Sequence, residues 1–153
     1  MNLTASDIYA LHSPSRCPGR VFYRTHGLEE AKPGPFEQVI FRLAERHERE
    51  HLRTFPHVVD LSQGPMGERI RRTLDAINNG SQVIYQGVLV ADTELGGMPT
   101  RILGIPDFLI GQEGGYVVRD SKLARRIDDH PEISLQIQLL GWLYEQATGK
   151  PPA

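Results

Sequence analysis

The sequence predicts an α/β domain in which helices flank a central mixed β-sheet. Its 153 residues, 39% of them hydrophobic, suit one compact core, and no repeat, low-complexity run or charge block divides the chain. Apolar residues first recur at helical spacing, then form a β-rich block between glycine turns, and finally return to helical spacing. The expected order is therefore helix, helix, three strands, helix, within a single domain of residues 1–153.

The first predicted helix follows a Lys-Pro-Gly-Pro break at residues 32–35. Its apolar positions recur three and four residues apart, at Phe36, Val39, Ile40, Leu43 and Ala44. The helix is expected to end before Pro56, and His47 continues its apolar stripe. We therefore expect His47 to point toward the sheet, with Glu48 and His51 on the flanks of the helix.

A second helix is predicted over about Met66 to Ile77, because Asn78-Asn79-Gly80 is a strong helix stop. It carries several arginines, Arg69, Arg71 and Arg72. Exposed arginines are more often solvated surface than phosphate contacts, and both alternatives stay open for Arg125 and Arg126 further along the chain.

The last helix begins at Pro131, keeps apolar residues as far as Tyr144 and stops at Gly149. At 100° per residue, Gln136 falls on the apolar face of this helix whereas Gln138 does not. Only Gln136 is therefore expected to point inward, either as a satisfied core amide or as a functional group.

Three β-rich segments lie between these helices. They cover Gln82 to Ala91, Thr100 to Ile110 and Tyr116 to Leu123, with glycine-containing turns between them at 96–97 and 111–115. Segments joined by such short turns form antiparallel hairpins. Two consecutive hairpins are therefore predicted.

Composition excludes several classes of protein. The charges nearly balance, with 17 Lys and Arg against 19 Asp and Glu, so nucleic-acid binding would have to rest on a local patch. The only cysteine, Cys17, forms no internal disulfide or four-cysteine cluster, and is expected to be a buried small hydrophobe. With no leader-like or membrane-spanning segment in the sequence, a cytoplasmic setting without membrane contact is expected.

The second hairpin brings two acidic residues together. Counted outward from a turn between Glu113 and Gly114, Asp107 falls opposite Asp120, and opposed side chains lie about 4.5 to 5.5 Å apart at Cβ. Two carboxylates at that distance repel each other unless a cation or a proton lies between them. Lys122 has the same parity as Asp120 and shares its face, while Pro106 implies a strand edge or bulge.

These residues resemble the motifs of a known enzyme superfamily. The segments Gly104-Ile-Pro-Asp107-Phe-Leu and Tyr116-Val-Val-Arg-Asp120-Ser-Lys122 are similar to motifs II and III of the PD-(D/E)XK nucleases. His47-Glu48 and Gln136 resemble the histidine and glutamine motifs of the RecB-like branch, which includes recombination and CRISPR-adaptation exonucleases. The segment from Ser13 to Cys17 resembles the start of that branch.

The resemblance implies a restriction-endonuclease-like core and a metal-dependent nuclease that hydrolyses DNA with a metal-bound water as nucleophile. It makes His47, Asp107 and Asp120 ligands of Mg²⁺ or Mn²⁺, with the Ser121 carbonyl as a further candidate. Lys122 would orient or activate the water, and Gln136 would support the site or contact nucleic acid. No iron–sulfur cluster is expected from one cysteine.

The resemblance also bears on what lies beyond this chain. The fold normally continues with another strand after the glutamine helix, whereas this chain stops at Ala153. The chain is therefore expected to lack the last strand of the core or to be the N-terminal portion of a longer protein. A further C-terminal domain, or a helicase or repair partner, would be compatible with either case.

Two alternatives remain. His47-Glu48-x-x-His51 is also a literal zinc-protease motif, with His57 at the place of a third ligand. Pro56 and the late position of the strands count against it, and it leaves Asp107 and Asp120 without a role. The other alternative is a catalytically silent module that binds nucleic acid without cleaving it.

Overall fold

The computed structural model describes residues 1–13, 16–123 and 129–153. Arg125, Arg126 and part of the 13–17 segment therefore lie outside the described residues. In chain order the elements are β1 (Asn2–Thr4), α1 (Ala5–His12), α2 (Pro18–Thr25), α3 (Pro35–Leu52), β2 (Val59–Asp60), α4 (Met66–Asn78), β3 (Val83–Tyr85), β4 (Leu89–Leu95), β5 (Met98–Gly104), β6 (Phe108–Gln112), β7 (Gly115–Arg119) and α5 (Pro131–Thr148).

The protein is α/β, with its described strands in two mixed sheets rather than in the single sheet expected. One sheet has the order β1-β5-β4 and the other the order β2-β3-β6-β7. In each sheet one neighbouring pair is parallel, β1 with β5 and β2 with β3, and the other pairs are antiparallel.

A break in one long antiparallel ribbon divides the two sheets. Tyr85 pairs with Phe108 and Leu89 pairs with Gly104, so the same register continues on both sides of the break. At the break, Gln86 has a positive φ of 55° and its N–H donates to the carbonyl of Asp107 at 2.9 Å. The strand segments predicted as continuous from 82 to 91 and from 100 to 110 are each divided here.

Both predicted hairpins are present, and the three predicted helices correspond to α3, α4 and α5. Two of these helices end at a left-handed glycine as expected, α4 just before Gly80 with φ 67° and α5 at Gly149 with φ 73°. Leu140 and Leu143 of α5 are fully buried against the sheets. A Cβ on Gly104 would lie 2.5 Å and 2.6 Å from these two leucines, so glycine permits this close packing.

The N-terminal elements were not predicted from the sequence. β1 pairs along β5, and α1 follows at once, capped by Asp7, whose carboxylate accepts from the Thr4 N–H at 2.6 Å and is ion-paired with Arg24. The expected burial of Cys17 is wrong, since this residue is exposed at the N-cap of α2. It lies outside the core because α2 contributes no buried residue.

The apolar stripe of α3 is exposed instead of packed on the core. Its side chains keep large exposed fractions, up to 76% at Phe36 and 59% at Phe41. The face that α3 turns to the sheets carries Glu48 and His51. Within the described part of the chain, no helix combines the length and apolar character that crossing a lipid bilayer requires.

Candidate active site

Asp107 and Asp120 face each other just beyond the paired ends of β6 and β7. The last pair of that ladder joins Phe108 to Arg119, and the two aspartates occupy the next position of the same register. Their carboxyl groups lie close enough for the charge of Asp120 to act on Asp107. This is the register that a turn between Glu113 and Gly114 implies, although β7 ends at Arg119 and not at Leu123.

The surroundings of Asp107 favour its protonated form. Burial is the main cause, the charge of Asp120 adds to it, and together they raise the pKa of Asp107 from 3.8 to about 8. Glu48 acts in the same direction, whereas the Ser121 N–H, which donates to Asp107 Oδ2 at 2.6 Å, opposes the shift. The pair therefore holds a proton that a divalent cation could replace.

Lys122 is the cation beside this pair. Its Nζ lies 2.5 Å from Asp120 Oδ2, and that oxygen is buried and receives no well-directed hydrogen bond. The same ammonium lies 5.8 Å from the centroid of the Tyr9 ring on α1. Lys122 thus has one side toward the carboxylates and the other toward an aromatic ring.

Glu48 is brought to the site, which the sequence analysis did not expect. Gln86 Nε2 donates to Glu48 Oε1 at 2.7 Å and lies 3.3 Å from Asp107 Oδ1, so one amide lies between two carboxylates. Tyr85 also lies near Glu48, and burial, followed by the effect of this carboxylate, raises the pKa of Tyr85. Arg69 fixes the strained Gln86 by donating to its carbonyl at 3.0 Å.

The expected orientation of His47 is wrong. Its side chain is exposed, whereas Glu48, 100° further around the helix, is half-buried against the sheet. His51 lies one turn from Glu48 on the same face. This spacing puts Glu48 and His51 on one helix face, but nothing in the sequence marks that face as the inner one.

His51 packs in the site as a neutral ring. Burial, then the charge of Arg119, lowers its pKa. Its Nε2 lies 3.2 Å from Arg119 Nη1, which can only donate, so Nδ1 carries the proton toward Ser121 Oγ at 3.3 Å. The ring also packs on Phe108, with centroids 4.6 Å apart.

Gln136 faces inward from α5 and Gln138 is exposed, as their helical positions predicted. The carbonyl oxygen Oε1 of Gln136 is buried and accepts no hydrogen bond from the residues that the structure describes. Gln136 lines a cavity that also contains Ser121 and Lys122. The three therefore line one space, and Glu48 is not among its lining residues.

The oxygen atoms at this site are of the kind that a hard divalent cation prefers, but the described side chains are not arranged as a complete ligand group. In the described ranges, no three His, Cys, Asp or Glu side chains form a ready ligand group. Asp107 and Asp120 nevertheless offer two adjacent carboxylates, one with a buried oxygen lacking a directed donor. Oxygen ligands of this kind suit Mg²⁺ or Mn²⁺, whose charge would offset their repulsion.

Comparison of the chain with protein-family models, curated proteins and solved structures gave no match in any of the three. The assignment to the RecB-like branch, drawn from motif resemblance, therefore stays a prediction. So do the metal-ligand, catalytic and protease roles assigned from sequence to particular residues.

Proposed function

We propose that this chain is a metal-dependent nuclease domain that hydrolyses DNA phosphodiester bonds. The observation that carries the proposal is the pairing of Asp107 with Asp120 beside Lys122. Two ionised carboxylates at this distance repel each other, and burial adds to the cost of their charges. Their close approach is explained if they serve to hold a cation.

Asp107 and Asp120 are the proposed ligands of Mg²⁺ or Mn²⁺, with the Ser121 carbonyl as a further oxygen. We assign the third carboxylate to Glu48 rather than to His47, because Glu48 shares the Gln86 amide with Asp107 whereas His47 is exposed. When bound, the cation would supply Lewis acidity for attack on phosphorus and offset charge on the phosphate oxygens.

The remaining groups act around that centre. Lys122 is the proposed donor to the attacking water or to a non-bridging phosphate oxygen, because its ammonium adjoins Asp120 and faces open space. His51 and the Ser121 N–H hold the strand end in place. Gln136 is proposed to contact the nucleic acid from the far side of Lys122.

A PD-(D/E)XK-like core in a cytoplasmic protein is part of the same proposal. Its support is the order of elements, with an acidic hairpin preceded by α3 and followed by α5. No observation favours the zinc protease: His47 and His57 are exposed, and His51 is engaged by Ser121 and Arg119.

The test is cleavage of single- and double-stranded DNA in Mg²⁺ and in Mn²⁺, with chelator as the blank. Asp120→Asn should abolish turnover, because it removes a ligand charge and keeps the side-chain shape. Asp92→Asn is the matched control, since Asp92 is exposed on β4 and its ion pair is with Arg101 on the neighbouring strand. Cleavage by Asp120→Asn at the parent rate would refute the proposal, and DNA binding without cleavage by the parent would favour the silent module.

A further inference from the structure

A cavity of about 430 Å³ adjoins Lys122, on the side where its ammonium lies over the Tyr9 ring. It lies between α1, α3 and α5, and its walls include Tyr9, Ile40, Phe41, Lys122, Ile133 and Gln136. We name these six residues the base pocket. Its volume is within the range of small-molecule sites, about 300 to 1,000 Å³.

The walls of the base pocket combine apolar surface with polar groups. Most of its walls are apolar, and two aromatic rings remain open to solvent, with 38% of Tyr9 and 59% of Phe41 exposed. One buried acceptor in the cavity, Gln136 Oε1, receives no hydrogen bond from the described part of the chain. An occupant therefore needs a flat apolar face and at least one N–H group.

The position of the base pocket indicates which class of molecule occupies it. Lys122, whose ammonium is ion-paired with Asp120, lines the base pocket. A phosphate drawn to Lys122 would carry its attached nucleoside into the adjoining space. Nucleobases have the required flat face and N–H donors, and they stack on exposed aromatic rings in single-strand binding proteins.

We propose that the base pocket receives one unpaired nucleobase of a DNA strand whose neighbouring phosphate lies at Lys122. This inference rests on the proposed nuclease function and specifies its substrate. A base inside a duplex cannot enter a side pocket without leaving the stack, so the protein should prefer single-stranded DNA or frayed ends. The Gln136 carbonyl should accept from the base, and Tyr9 and Phe41 should contact its face.

Binding without cleavage tests this directly. A fluorescent oligodeoxyadenylate is titrated in chelator, followed by versions with an abasic residue at each position in turn. We expect Phe41→Ala and Gln136→Leu to weaken binding about ten-fold, within the range that stacking provides. Tyr23→Ala and Gln138→Leu are the matched controls, an exposed aromatic on α2 and the exposed glutamine of α5, and should change affinity less than about two-fold.

The abasic series distinguishes the binding of one base in the pocket from non-specific binding of DNA. One abasic position should weaken binding to the parent and have no further effect on Phe41→Ala, because both changes remove the same contact. As a second readout, 2-aminopurine at that position should be quenched by the parent and not by Phe41→Ala. Phe41 is mostly exposed, so its removal leaves the core intact.

The possible outcomes are distinct. If the parent cleaves DNA but pocket and control variants bind alike, or no abasic position matters, the base pocket is refuted and the nuclease proposal stands. If the parent neither binds nor cleaves, both are refuted. A single sensitive position coupled to Phe41 and Gln136 supports the base pocket even where cleavage is slow.

Discussion

Replacing Asp107 by Asn should change how the stability of the metal-free protein depends on pH. In the folded protein the pKa of Asp107 is raised to about 8, mainly by burial and by Asp120, whereas in the unfolded chain it returns to 3.8. Between these values the folded state holds a proton that the unfolded state has released. The free energy of unfolding must therefore fall as pH rises through this window.

The limiting slope for one such group is about 1.4 kcal/mol per pH unit. Because Asp107 is only partly buried and solvent screens its charge, we expect the parent to lose about 1 to 3 kcal/mol between roughly pH 5 and pH 8 relative to Asp107→Asn. Well above pH 8 the difference should become constant, since Asp107 is then ionised in both states.

The assay is urea unfolding of the parent and the variant in chelator at several pH values. The quantity compared is the slope of unfolding free energy against pH in the two proteins. Any lost contact with Gln86 changes the unfolding free energy of the Asn variant by a similar amount at every pH, so it does not change this slope. Titrating groups that do not interact with Asp107 cancel in the comparison, so the difference reports Asp107 together with the carboxylates beside it. Asp92→Asn, at an exposed carboxylate whose pKa Arg101 lowers, should run parallel to the parent over the same range.

Parallel curves for the parent and Asp107→Asn from pH 5 to pH 8 would refute the reasoning, since they would mean that Asp107 is ionised throughout. If the unfolding free energy of the parent instead rises with pH relative to the variant, the surroundings of Asp107 stabilise its ionised form. The carboxylate pair would then need no cation.

Two further predictions follow from the packing and from the inner face of α3. Gly104→Val should lower the free energy of unfolding by about 1 to 3 kcal/mol in urea unfolding, because its side chain would overlap Leu140 and Leu143. Gly67→Ala, in open space on α4, should cost nothing, and equal stability of the two variants would contradict the close packing. Glu48→Gln should lower Mn²⁺-dependent cleavage at least ten-fold, which corresponds to about 1.4 kcal/mol or more for a lost ligand charge. His47→Ala should leave most of the cleavage activity. The reverse order of effects would return the ligand role to His47.

Much of the site could be predicted from local sequence. A glycine turn fixes the register of the hairpin around it, so the opposition of Asp107 and Asp120 followed from counting residues. Helical spacing likewise separated Gln136 from Gln138, because α5 has one apolar face and packs with it inward. Both inferences depend only on periodicity within one element.

The orientation of α3 could not be predicted in this way. Its apolar stripe suggested that His47 faces the sheet, but that stripe is largely exposed and Glu48 and His51 face inward. Which face a helix buries is decided by its partners, and here the partners are the polar groups of Gln86 and Ser121. Hydrophobic pattern alone contains no information about such contacts.

The sequence by itself determined the α/β class, the two hairpins, the ends of the last two helices and the facing aspartates. All of these follow from short-range rules on turns, caps and alternation. Only the tertiary structure decided that the ribbon breaks at Gln86, that Glu48 replaces His47 beside Asp107, and that a cavity opens beyond Lys122. These features join residues far apart in the chain, and they depend on long-range packing that no local pattern specifies.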